Sequence, residues 1–115
     1  MNNIYQEVLP ISRKDAETIF SSGSSENIAD ALVSLAYYDS DWSWVQEICI
    51  RYLIGDNKNL QAVAATCLGH LARIHRKLDL EKVIPLLKKL QDNPKIGGIV
   101  EDALGDIDWY LKQPN

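Results

Sequence analysis

Cysteine is scarce in this chain: Cys49 and Cys67 are the only two in 115 residues. Two thiols give no disulfide framework of the kind small secreted domains use, and they fit a reducing compartment. Long apolar runs are missing too, and none approaches the roughly 20 residues that a membrane-crossing helix needs. The opening MNNIYQEVLP has no basic start followed by an apolar stretch, so no secretory leader is expected. No segment alternates with the period of a strand. There is no glycine-rich loop to cradle a phosphate, and no ordered Ser-His-Asp set on special turns. These absences point to one cytoplasmic, all-α domain over residues 1–115, with no cofactor and no membrane role. The chain is expected not to be an enzyme.

What is present is enough to fold. Hydrophobic residues make up 46% of the chain and charged residues 24%, so a real core is expected and global disorder is excluded. The formal net charge of −4 argues against nucleic acid as the main partner. Its distribution is uneven: residues 1–57 carry nine acids and three bases, 58–100 eight bases and three acids, and 101–115 four acids and one base. A basic middle between acidic ends would orient a charged partner.

Start and stop signals mark six helices. Ser12, Ser24 or Ser25, Asp41, Asn57 and Asp79 are expected to cap the first five, and Asn93-Pro94 to open the sixth with proline at its first position. Gly23 and Gly55 fall beyond helix ends, and the fourth helix runs to about Arg76 with basic residues in its last turn. A shift of 36 residues then superimposes IADALVSLAYY (28–38), AATCLGHLARI (64–74) and VEDALGDIDWY (100–110). Leu32, Leu68 and Leu104 coincide, as do the small Ala31, Cys67 and Ala103 and the branched Leu35, Leu71 and Ile107. The preceding helices follow the same shift, with Ile48 on Ile84, Ile50 on Leu86 and Ile54 on Leu90. Three helix pairs at this period make a short solenoid, with units at about 12–40, 41–76 and 79–112.

The segments DALGDI (102–107) and TCLGHL (66–71) carry a core that resembles HEAT and HEAT-like repeats, as does Pro85 inside a first helix. Two features depart from that pattern: the arginine often found early in the second helix is missing, and Val33 stands where glycine is usual. The resemblance implies a right-handed α–α superhelix of about three pairs whose second helices line a concave docking face.

The stretch Cys67–His75, CLGHLARIH, holds both histidines and one of the two cysteines, and so invites a metal or catalytic reading. At about 100° per residue, Leu60, Val63, Ala64, Cys67, Leu71 and Ile74 share the core face. His70 and His75 fall on opposite flanks of it. Cys67 and His70 offer two ligands at i, i+3 spacing, but no third is evident. Cys67 occupies a slot that alanine fills in the other two repeats, which marks it as packing. Gly69 is expected to admit a neighbouring helix, and His75 to answer the last carbonyls of its helix.

A contact stripe remains beside the core: Thr66, His70, Arg73 and Lys77 on the fourth helix. Its equivalents are Asp30, Ser34 and Tyr37 on the second helix and Asp102, Asp106 and Trp109 on the sixth. Tyr38 and Tyr110 share the slot of Ile74 and are expected in the core. The loop acids Asp39 and Asp41, in YYDSDWSW (37–44), complete an acidic, aromatic rim suited to a basic protein surface. In size, acidity and architecture the chain is similar to small bacterial toxin-immunity proteins that resemble short HEAT arrays. That resemblance implies a protein partner, a cognate toxin and more narrowly a basic nuclease, bound and blocked through these residues. Two further readings are open: a generic HEAT-like adaptor, and a nucleic-acid backbone binder using Arg73, Arg76, Lys77, Lys82, Lys88, Lys89 and Lys95.

Overall fold

Four short polar side chains set the starts of the first four helices by the same bond, each accepting from the backbone N–H three residues on. Ser12 Oγ accepts from Asp15 (3.0 Å), Ser24 Oγ from Asn27 (3.2 Å), Asp41 Oδ1 from Trp44 (3.1 Å) and Asn57 Oδ1 from Leu60 (3.1 Å). Each satisfies a donor that the first helical turn leaves open. In this computed structural model, which describes residues 8–111, the helices are α1 (Arg13–Ser22), α2 (Ser25–Tyr38), α3 (Trp42–Leu53), α4 (Lys58–His75), α5 (Leu80–Leu90) and α6 (Gly97–Leu111). Residues 1–7, on which the leader reading partly rests, and residue 112 of the third expected unit lie outside the described residues.

Two expected helix starts are corrected. Asp79 makes no side-chain capping bond. Its own N–H instead donates to Oε1 of Gln46, reaching over from α3 (2.6 Å). Asn93-Pro94 opens a turn and not the regular helix: Asn93 Oδ1 accepts from Lys95 N (2.9 Å), its carbonyl accepts from Gly97 N (2.7 Å), and α6 proper begins at Gly97. A Cβ at Gly97 would collide with the Gln91 carbonyl oxygen, so the tight entry to α6 depends on glycine there. A second buried glutamine closes the α3–α4 turn, with Gln61 Nε2 donating to the carbonyls of Leu53 (3.0 Å) and Gly55 (2.9 Å).

The helices stack in two layers. α2, α4 and α6 pack side by side with α4 in the middle, and α3 covers the back of α4 while touching α5. α1 leans on α2, and α5 on α6. Because α4 has neighbours on three sides, it buries much more than one stripe: Ala65, Leu68, Gly69 and Ala72 are enclosed beside Leu60, Ala64, Cys67 and Leu71. The small slot (Ala31, Cys67, Ala103) and the branched slot (Leu35, Leu71, Ile107) are buried in all three helices. Leu104 is only partly buried although Leu32 and Leu68 are fully enclosed. Among the described residues no helix follows α6 to cover it.

The two cysteines sit on different helices yet meet across the α3–α4 contact, both without solvent exposure and both free. Its hydrogen bond with the Cys67 thiol, together with burial, pushes the Cys49 thiol well above its ordinary value. Enclosed in this way, both behave as small apolar side chains.

Candidate functional site

The expected contact stripe can now be followed helix by helix, beginning at its centre. His70 on α4 is half-buried between α2 and α6. The Tyr37 ring of α2 stands edge-on to the imidazole, with centroids 5.0 Å apart and planes at 83°. One turn along α4, Arg73 Nη2 lies 3.2 Å from His70 Nδ1. A guanidinium can only donate, so Nδ1 accepts, and the imidazole carries its proton on Nε2. Burial lowers the His70 pKa, the Arg73 charge lowers it further, and Asp106 of α6 opposes both. His70 is therefore neutral at neutral pH and holds one edge of the Arg73 fork.

Asp106 comes close because of Gly69. A Cβ at Gly69 would stand 3.3 Å from Asp106 Oδ2 and 3.7 Å from the Ala103 Cα. The glycine thus lets α6 approach α4 and brings its acid over the α4 surface, the close approach expected from the repeat. Asp102 is exposed one turn before Asp106, and Trp109 stands out 63% exposed one turn after. In the 36-residue register Tyr37, Arg73 and Trp109 share one slot on three adjacent helices, so the arginine lies between two aromatic positions.

At the α2 end the stripe divides. Asp30 is exposed, but Ser34 is buried and donates to the Leu9 carbonyl (2.6 Å), so this serine is spent on folding and is not part of the surface. Its partner belongs to a segment, Val8–Ile11, that crosses α2 and is also held by Tyr38, whose hydroxyl donates to the Val8 carbonyl (2.7 Å). Asp30 and Ser34 border an apolar cleft of about 400 Å³ beneath that segment, apart from the cluster around His70.

The loop acids have a partner already. Arg13 of α1 reaches Asp39 with both Nε (3.1 Å) and Nη2 (2.9 Å), touches Asp41 (3.3 Å), and lies over the Trp44 ring at 4.3 Å. The bond from Arg13 holds the Asp39 carboxyl below the usual carboxylate range, against the opposing effect of its partial burial. Asp39 also accepts from Asp41 N (2.8 Å), while Asp41 caps α3. Arg13 was not among the expected residues. Its partner Asp39 lies 26 positions away, and no local spacing signals that meeting.

Three expected core or capping residues are corrected. Tyr38 is 50% exposed and Ile74 38% exposed, because both sit near the ends of their helices, beyond the reach of the neighbouring layer. Only Tyr110 is partly covered, with the Arg76 guanidinium 5.1 Å from its ring centre. The Nε2 of His75, expected to answer helix carbonyls, is buried with no hydrogen-bond partner among the described residues. Arg76 itself takes the left-handed conformation that ends α4 (φ 57°), and its N–H bonds to the Ala72 carbonyl. Of the expected basic set, Lys82 pairs with Glu47 (3.2 Å).

Among the described residues no three His, Cys, Asp or Glu side chains gather as a metal would need, and no helix is long and apolar enough to cross a membrane. Fold and face together define an all-helical protein with a mixed aromatic and charged surface. No protein-family model matches the chain, and no curated protein matches it. It is similar to a solved chain from the crystal structure of the CDI (contact-dependent inhibition) complex from Cupriavidus taiwanensis LMG 19424, with 32% identity and a TM-score of 0.83. The match covers 95% of this chain and 98% of the other. The chain belongs to the family of that member of the CDI complex.

Proposed function

We propose that this chain is a bacterial immunity protein, which binds and blocks the toxin of a contact-dependent inhibition system in the cytoplasm. The observation that carries this reading is the match, over nearly the full length of both chains, to a member of a CDI complex. What favours the inhibitory member is the face itself. Its histidine is engaged by Arg73 and Tyr37, and both thiols are enclosed against each other, so none of these three groups is placed as an activated nucleophile. Exposed Asp30, Asp102, Asp106 and Trp109 instead offer charge and an apolar anchor.

The acids suit a partner rich in lysine and arginine. A nuclease, which must attract phosphate, is such a partner, and the acidic face would fill its substrate cleft. In this reading the helix pairs at about 12–40, 41–76 and 79–112 are HEAT-like units of one domain. Their second helices present Tyr37, His70, Arg73, Asp102, Asp106 and Trp109, with Asp30 at the margin. Asp39 and Asp41, tied to Arg13, belong to its rim, and Ser34 is held by the Leu9 carbonyl.

Co-expression with the product of the neighbouring toxin gene tests the proposal. A complex that survives size-exclusion chromatography, and cells rescued from that product, are the expected results. Absence of both the complex and the rescue overturns it.

A further inference from the structure

An acidic plug for a basic enzyme would be expected to carry acids at its centre. This face carries an arginine there. Arg73 is exposed on the middle helix of three, and its single hydrogen-bond partner among the described residues is the neutral His70. One of its five N–H donors is used, and no carboxylate forms an ion pair with it among the described residues. The arrangement contrasts with Arg13, whose fork is filled by Asp39 and Asp41. Asp106 stands on the neighbouring helix close to Gly69, yet it does not close on Arg73. The flanking slots hold Tyr37 and Trp109.

We infer that Arg73 is the specificity-determining contact of this face and takes a carboxylate of the protein partner in a forked, two-bond pair. This rests on the immunity reading and adds what the partner must present there: one Asp or Glu set among its bases. Two observations select a carboxylate on a protein over a nucleic-acid phosphate. Asp106 stands beside His70 and Gly69, and Asp30 and Asp102 are exposed further along α2 and α6, so a polyanion running across these helices meets negative charge. A single carboxylate flanked by the partner's own lysines or arginines meets no such penalty, because those bases neutralise the same acids. The planar fork matches carboxylate geometry, and the aromatic slots exclude water from the pair once the partner is seated.

His70 acts as a positioning residue. Its ring meets Tyr37, and its Nδ1 lone pair holds the guanidinium of Arg73 in place. The charged and titratable groups facing it are Tyr37 from α2, Arg73 on its own helix and Asp106 from α6. His70→Gln keeps an acceptor oxygen and stays uncharged, whereas His70→Ala removes the acceptor.

The test measures the affinity of the full chain and its variants for the product of the neighbouring toxin gene, inactivated for handling. Arg73→Glu is expected to weaken binding about 100-fold or more, and Arg73→Lys, which keeps charge without the fork, about 10-fold. His70→Ala should weaken it several-fold, and His70→Gln should restore most of that loss and flatten the fall in affinity on acidification from pH 7.5 to 5.5. Among partner Asp or Glu→Lys variants, one should recover binding to Arg73→Glu. Because Arg73 is exposed, its variants should melt with the parent chain, which separates lost contact from lost fold. If the unaltered chain binds tightly and both Arg73 variants stay within threefold, the inference fails while the immunity reading stands. If the unaltered chain does not bind, the immunity reading fails and the inference falls with it. Salt-sensitive retention of RNA that Arg73→Glu abolishes would overturn the carboxylate assignment.

Discussion

His70 is the residue on which neighbouring groups act most visibly. Its folded pKa lies below the ordinary histidine value of about 6.5, through burial first and the Arg73 charge second. On acidification the unfolded chain takes up a proton at this site before the folded chain does. Stability is therefore unaffected above the unfolded value, falls as pH drops through it, and levels off below the folded one. Following the imidazole signals by NMR should place the His70 midpoint below that of an unstructured peptide; an equal or higher midpoint would contradict the geometry. Trp109, 63% exposed, should cost little stability when replaced by alanine, while costing about 2 kcal/mol or more of partner affinity if it is an anchor. Thermal melting and titration calorimetry on the same variant separate the two quantities. Cys49 and Cys67 should stay unreactive toward a maleimide in the native protein and label only on unfolding, since both are enclosed and Cys49 is held protonated.

At the scale of the helix, glycine means different things in α4 and α6. Gly105 has nothing within 4 Å of a built Cβ, so Gly105→Ala should gain the full helix-propensity difference of about 1 kcal/mol. A rise of about 4 °C in Tm is expected. Gly69→Ala faces a tighter fit, in which Asp106 must move by a few tenths of an ångström while the Ala103 backbone is at ordinary distance. It should change stability little but disturb the acid beside His70. Gly69→Leu should cost about 2 kcal/mol by forcing α4 and α6 apart. The 36-residue repeat shows that position 69 is a contact slot and position 105 its counterpart. Only the packed array shows that the second slot is empty, because no described helix follows α6. The helix caps were equally uneven in legibility. Ser12, Ser24, Asp41 and Asn57 act within their own turns and can be read locally. Gln46, which serves the start of α5 from 33 residues away, cannot.

For the whole molecule, α4 is the keystone, with α2, α3 and α6 all packed on it. Leu68 is fully enclosed at its centre, so Leu68→Ala should cost about 3 kcal/mol, a large share of the 5–15 kcal/mol typical of a domain. Denaturant titration would register it as a lower midpoint at nearly unchanged slope. The sequence by itself determined the all-helical class, the number of helices, the repeat register and the burial of the small and branched slots. Each of these follows from contacts within a turn or from periodicity along one helix. It also singled out Tyr37, His70, Arg73, Asp106 and Trp109 by that same period. Only the tertiary structure decided what each polar candidate bonds to within the chain. It tied Ser34 to the Val8–Ile11 segment and Asp39 and Asp41 to Arg13, placed Tyr38 and Ile74 at the surface, and brought Cys49 to Cys67. Those outcomes depend on residues far apart in the chain that meet once the layers stack, and charge or hydroxyl chemistry is satisfied by whatever partner lies within about 3 Å, regardless of distance along the sequence.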